Sequence, residues 1–600
     1  MRRLLAGKFG RRFASLVILL TAIASFSLNF SSVRLLYHDS LDWIRQWNGV
    51  PPRGTRLIAD LPRQMVERYL PVSTNLYYVG IAGETLRPFE RSTCLAISWP
   101  LLPSGLRFGR ARHTNRADMV LTCASVPDYS LTDEGFPLDG YSQVDRTEWN
   151  VLWCRNEKLQ EVNALRQKGM RKSAEPLQWW REAIGLSFVV LLFLVGWIVG
   201  SFLGVLLFVY LFSIVWFCLF QAGWWSAPIS LIVAFVVAFG LLLCAVNCRS
   251  RMYGSRDLGE KGRKWWHLWI VGGLVMLATT VLALSHPYMT PNGLGVVGGR
   301  AKLMWLLGRY PISGFPMEDW ELYQSAYPLG HVLLILACYV VGGGCGDWLM
   351  QLTGCLFSAL LSIWVCRQVR GGCVILWLIS LLTTSLWLVM GSQLYSEPLM
   401  LLFALVGIDC VVHRRGCNLI GWVLIGASGW IKNEGLLILI ASWIGVRVVY
   451  GRKPATLKAL LLAGLIPVCW HVAVRVCGAK LFDYANPWQV DWTRGIKAFL
   501  YTLNYFFLSP WESGFVAYLF CFLLAMGLLR LRKLRKRKEM CFTALVSGIS
   551  MFLYFYVFSV SRAQDFDWHL ESALPRLLCF PILLLARSVV NELDASDRDD

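Results

Sequence analysis

Lys432, Asn433 and Glu434 stand side by side between two apolar runs, 418–431 and 436–446. A cation and an anion set that deep in apolar sequence are costly unless they reach water, each other or a ligand. The pattern predicts a functional site at a membrane face; a polar tip between two helices is the plain alternative. Four further patches carry related chemistry: Asn292 with Arg300 and Lys302; Glu318, Asp319 and Glu321 leading into Tyr327-Pro328; Tyr395 with Glu397; and Asp565, Asp567, Trp568, His569, Ser572 and Arg576. A carboxylate can take a proton from a hydroxyl, and Arg or Lys can hold a phosphate leaving group. Each patch also has a purely structural role open to it. Glu397 fits the first turn of a helix, where a carboxylate suits the dipole. Arg300 and Lys302 could snorkel to an interface, and Trp568 could anchor there. His569 could be a packed, hydrogen-bonded imidazole, and Glu318, Asp319 and Glu321 a solvated loop.

The elements that must position these residues are membrane helices. Of 600 residues 56% are hydrophobic and only 16% charged, and the mean hydropathy is +0.50, values of a polytopic membrane protein and not of a soluble globule. The net charge of +20 lies in short basic runs beside apolar spans: Arg249 to Lys264, Arg414-Arg415 and Arg530 to Lys538. Such runs set topology and favour anionic lipid surfaces, so no nucleic-acid partner is expected. Most of the 18 cysteines fall in apolar spans, where Cys acts as a small hydrophobe. Cys94, Cys123 and Cys154 lie in the polar segment without the short spacing of a zinc site.

The chain divides into an N-terminal transmembrane helix, 1–30; an extracytoplasmic soluble domain, 31–183; further transmembrane helices with a basic cytoplasmic loop, 184–264; a membrane core, 265–591; and a cytoplasmic tail, 592–600. Alternating stretches at Thr74–Ile81 and Cys94–Trp99 predict a small α+β fold for 31–183. Apolar spans are predicted at 184–201, 203–221, 227–247, 266–285, 346–366, 372–390, 396–413, 418–431, 436–449, 457–477, 513–530, 541–561 and 576–591. Residues 331–366 read as two helices broken at Gly342–Gly346, where the parity of crossings calls for one of them to be half-inserted or interfacial. The total is roughly 13–15 transmembrane helices, all-α apart from the inserted domain. With the basic runs in the cytoplasm, Tyr395–Pro398, 432–435, 478–496 and Asp565–Arg576 all fall outside.

Four segments resemble the bacterial GT-C membrane glycosyltransferases of the dolichyl-phosphate-mannose and aminoarabinose-transferase-like group (glycosyltransferase family 39-like). Trp430-Ile431-Lys432-Asn433-Glu434-Gly435-Leu436 is similar to the family's Thr-Lys-Asn-Glu-Gly signature. Phe566-Asp567-Trp568-His569-Leu570, followed by Ser572 and Arg576-Leu577-Leu578, resembles its C-terminal Trp-His-Leu element. Asn292 to Lys302 resembles its first outer loop, and Tyr395-Ser396-Glu397-Pro398 a Tyr-Ala-Asp element ahead of a helix. The resemblance covers about 265–591.

It implies transfer of a sugar from a polyprenyl phosphate to an envelope acceptor at the extracytoplasmic face of the plasma membrane, with the lipid tail among the apolar spans. Arg576, Lys432, Arg300 and Lys302 would then bind the donor phosphate. Glu318, Asp319 and Glu397 would be the catalytic carboxylates. Asn292, Tyr327, Tyr395, Asn433, Glu434, Trp568, His569 and Ser572 would orient substrate. A divalent cation held by Glu397 and Glu434 is one option, although no clustered carboxylate motif marks it. This chain departs from the family at Asn292, where an acidic residue is usual, and at Gln324-Ser325-Ala326, where His and Asp are usual. A transporter or flippase of a lipid-linked or anionic solute, and an inactive envelope scaffold, are the alternatives. Internal repeats with midplane charges would mark the transporter.

Overall fold

The computed structural model describes residues 75–78, 93–95, 119–123, 140–146, 150–160, 179–223, 227–253, 266–285, 297–298, 300–301, 304, 310, 327–342, 351–368, 390–392, 394–413, 418–451, 456–477, 489–507, 538–561 and 566–596. The predicted helix in 1–30, the span 513–530 and all but the last residue of the span 372–390 lie outside the described residues.

Five short strands come first: β1 (Asn75–Tyr78), β2 (Thr93–Leu95), β3 (Met119–Cys123), β4 (Tyr141–Arg146) and β5 (Asn150–Arg155). They form one sheet in the order β2-β1-β3-β5-β4. β1 runs parallel to both its neighbours, whereas β3, β5 and β4 pair antiparallel. β1 and β2 fall at the two alternating stretches that predicted strands.

Everything else described is mainly helical. α1 (Trp179–Ala222) has 44 residues, about 66 Å if straight, or twice the thickness of a bilayer core. It is not straight. A β-carbon at Gly196 would lie 2.4 Å from the Cα of Val205, whereas nine residues of straight helix span about 13.5 Å. The chain therefore doubles back between these residues, as the separate spans 184–201 and 203–221 predict, and glycine permits the approach. α2 (Ala227–Tyr253) and α3 (Trp266–Ser285) follow.

α4 (Gly330–Gly342) rises only about 20 Å, and all but two of its residues are buried. Gly185 of α1 lies against the Cys338 carbonyl oxygen, where a β-carbon would approach to 2.3 Å. This short, protein-enclosed helix and α5 (Gln351–Gln368) are the two helices expected on either side of the break within 331–366. Next come α6 (Glu397–His413), α7 (Asn418–Ile431) and α8 (Glu434–Val449). α6 and α7 touch backbone to backbone at Gly407 and Gly421, each of whose β-carbons would lie under 3 Å from the other's carbonyl oxygen. Lipid tails are as apolar as leucine, so small residues that admit close packing hold such helices together.

α9 (Leu457–Val476), α10 (Trp492–Phe507), α11 (Lys538–Ser559) and α12 (Phe566–Ser596) complete the bundle. Among the described residues, Leu203–Ala222, Ala227–Cys244, Leu457–Val476 and Lys538–Ser559 are long and apolar enough to cross a membrane. The protein is a helical membrane protein. α10 corrects the sequence reading, which placed 478–496 in an outer loop and the next span only at 513–530. It runs back along α11, with Gly495 against Ser559 and the Phe499 ring 5.8 Å from that of Phe555. Its outward face carries Trp492, Ile496, Phe499, Leu500 and Leu503, while Ala498 and Thr502 are buried. Thr493, Lys497 and Asn504 are exposed as well, so the outer side of the helix mixes apolar and polar residues.

A buried ion cluster as the candidate functional site

The first turn of α6, the α7–α8 junction and the third turn of α12 meet at Glu397. This side chain is fully buried, and its Oε1 accepts from Lys432 Nζ at 2.7 Å and from Arg576 Nη1 at 2.5 Å. Lys432 also pairs with Glu434 Oε1 at 3.1 Å. The Arg576 guanidinium lies over the Tyr395 ring, 4.8 Å from its centroid, a favourable cation–π placement. Two cations and two carboxylates balance, which is how buried charge becomes tolerable.

Local sequence explains each position. Pro398 lacks a backbone N–H, and so suits the first turn of α6. Leu394 just before it adopts a left-handed backbone, φ 59°, uncommon for a side-chain-bearing residue and found where surroundings enforce a turn. Lys432 and Asn433 are the whole connection between α7 and α8. The Lys432 N–H donates to Ser428 O, and the Gly435 N–H to Lys432 O, both at 3.0 Å. A β-carbon at Gly435 would lie 2.2 Å from the Ser428 carbonyl carbon, so only glycine allows this reversal. The Ser428 hydroxyl reaches the carbonyls of Ile425 and Gly435, and Trp430 Nε1 donates to Ser213 Oγ at 3.0 Å, tying the hairpin to α1.

Arg300 is not an exposed snorkelling residue. It is fully buried, donating from Nη2 to Tyr327 O at 2.7 Å and Tyr310 Oη at 2.9 Å. Tyr310 is in turn held by Gln221, which donates to its carbonyl at 2.9 Å. Arg300 thus braces the segment entering α4, and Tyr327 on that segment lies within the field of Arg576. His331 has no place among the residues singled out from sequence, yet its Nδ1 is 3.2 Å from Ser396 Oγ, beside Glu397, and its ring meets Phe357 edge-on. The available signal was its position directly after Tyr327-Pro328-Leu329-Gly330, at a helix start facing the other patches.

Glu397, Lys432, Glu434, Arg576 and Tyr395 are therefore linked in one chain of contacts, whereas Arg300 is bonded to Tyr327 and Tyr310. Asn433 belongs to the same junction. Asn292, Lys302, Glu318 and Asp319 lie outside the described residues. Trp568, His569 and Ser572 fall on the first turns of α12, and their side chains also lie outside what is described. Four buried oxygens at or beside the cluster have no hydrogen-bond partner among the described residues: Glu397 Oε2, Asn433 Oδ1, Glu434 Oε2 and the Tyr554 hydroxyl, the last within the field of Glu434. Among the described residues no three His, Cys, Asp or Glu side chains come together to hold a metal ion; Glu397 and Glu434 both turn to Lys432 instead. No family model, curated protein or solved structure gives a match to this chain.

Proposed function

We propose that the protein is a GT-C-type glycosyltransferase with roughly 13–15 transmembrane helices and 31–183 inserted as an extracytoplasmic domain, moving a sugar from a polyprenyl phosphate to an acceptor at the outer face of the plasma membrane. The observation that carries this reading is the contact among Glu397, Lys432 and Arg576. They are separated by 35 and 179 residues from Glu397 in sequence, and the reading required them to share one site. In the reaction the acceptor hydroxyl oxygen attacks the anomeric carbon, the bond from that carbon to the phosphate oxygen breaks, and polyprenyl phosphate leaves. The acceptor proton passes to a carboxylate. Glu318 and Asp319 remain the base candidates, because Glu397 Oε1 is committed to two cations. A base must first lie within hydrogen-bond reach of its proton.

Mass spectrometry of lipids copurifying with the protein tests this directly, with a polyprenyl-phosphate sugar as the expected species. Vesicles containing the protein should then transfer that sugar, and Glu318→Gln or Asp319→Asn should lower turnover on the order of 10²–10⁴-fold. Absence of any such lipid, together with absence of transfer, removes the proposal. A second reading, a carrier of a lipid-linked or anionic solute, draws on the short buried helix α4, which starts beside the cluster as broken helices do in transporters. It predicts movement of a labelled lipid between leaflets with its glycosidic bond intact.

A further inference from the structure

We infer that the Glu397–Lys432–Glu434 cluster binds the hydroxyl groups of the sugar and not the phosphate; this rests on the polyprenyl-phosphate-sugar reading above. The charges point this way first. Lys432 and Arg576 would be obvious phosphate ligands if they were unengaged, but Glu397 holds both and Glu434 holds Lys432 again. A phosphate could gain them only by displacing a carboxylate already at 2.5–2.7 Å. It would also bring further acceptor oxygens to a place already crowded with them.

The unspent groups point the same way. Glu397 Oε2, Glu434 Oε2 and Asn433 Oδ1 are acceptors, and the Tyr554 hydroxyl both donates and accepts; none has a partner among the described residues. Buried acceptors left unmade are costly, so a ligand that supplies donors is favoured. A sugar presents several O–H groups on adjacent carbons, and O–H donation to a carboxylate is short and charge-assisted. The depth of the groups is graded in the same sense. Glu397 is closed off, whereas the Glu434 side chain keeps 18% of its surface, so Glu434 meets an incoming ring first and Glu397 forms the floor. Lys432 and Arg576 then act as positioning residues that fix the Glu397 carboxylate so that its second oxygen faces the ligand.

The test is binding to the full-length protein in nanodiscs, using polyprenyl phosphate and polyprenyl-phosphate glucose, mannose and galactose as probes. At least one sugar-bearing lipid should bind more tightly than the bare phosphate. Glu434→Gln should weaken that lipid about tenfold, the difference between a charged and a neutral acceptor, and leave the bare phosphate unchanged. Glu434 is the primary variant because Lys432 keeps Glu397 when it is altered; Glu397→Gln should act in the same direction wherever it folds. If the bare lipid binds as well as every sugar-bearing one, or loses as much in Glu434→Gln, or if Glu434→Gln changes neither, the inference is overturned while the donor reading stands. If none of the four lipids binds, the donor reading falls and the inference with it.

Discussion

Replacing Glu397 by glutamine should destabilise the protein more than replacing Lys432 by methionine, because Glu397 is the counterion of two cations and Lys432 is only one of its two partners. At an effective dielectric of about 20, charges 2.7 Å apart attract by roughly 6 kcal/mol, so the two contacts of Glu397 supply on the order of 12 kcal/mol before costs. Mutual repulsion of the cations and several kcal/mol of desolvation per ion cancel most of that. The net value of the intact cluster is therefore small, but the value of each partner to the others is not. Glu397→Gln leaves Arg576 buried without its carboxylate and Lys432 with Glu434 alone, a loss of about 3–5 kcal/mol. Lys432→Met leaves Glu397 paired with Arg576 and releases Glu434, which is partly exposed and can hydrate; about 1–3 kcal/mol is expected. Both single variants lose the Glu397–Lys432 contact and the double variant loses it only once, so it should cost less than the two single losses together, by about 0.5–3 kcal/mol. The measurement is unfolding in one fixed detergent, followed by tryptophan fluorescence, for all four proteins. Equal losses in the two single variants, or strict additivity in the double, would refute the shared-counterion reasoning.

Other consequences follow from the same geometry. Gly435→Ala should open the α7–α8 junction and lower the unfolding temperature, by overpacking worth about 1–3 kcal/mol. Gly548→Ala, in α11 with nothing within 4 Å of the added carbon, should be neutral or slightly stabilising in the same assay. Trp430→Phe removes the indole donor to Ser213 and should cost about 1 kcal/mol without changing ligand affinity, as isothermal titration can show. At the start of α10, the Thr493 hydroxyl, helped by backbone N–H groups and Arg494, holds the Asp491 carboxyl below the usual carboxylate value. A depressed folded value means support that is complete above the unfolded value, about 3.9, and lost as pH falls through the folded one. Amide exchange at the first turn of α10 should therefore rise relative to an Asp491→Asn variant as pH drops below about 4; identical profiles would discount the carboxylate.

Much of the site could be read from sequence, because polar residues inside apolar spans are conspicuous. Lys432 and Glu434 announce themselves by interrupting two short helices, and the alternation of basic runs placed Glu397 and Arg576 on the same side as Lys432. What could not be read was who neutralises whom. Glu397 looked like a helix cap or a base, and both readings treat it alone; its role as shared counterion depends on a helix that starts 169 residues after it, at Phe566. Arg300, beside Lys302, reads as a phosphate ligand or a snorkelling residue, and only the fold supplies Tyr310, Tyr327 and Gln221 to bury it. α10 escaped because 16 residues containing Arg494, Lys497 and Asn504 do not average as apolar, although Trp492, Ile496, Phe499, Leu500 and Leu503 already marked one side of a helix.

Glu397, Lys432 and Arg576 do not leave the ribosome together. Lys432 follows Glu397 by 35 residues and Arg576 follows it by 179. At 5–20 residues per second the second arginine contact is delayed by roughly 10–35 s. Until then Glu397 has Lys432 but not yet its second cation. Chain made up to α8 thus carries one cation against two carboxylates, and Arg576 on α12 later supplies the charge that balances them.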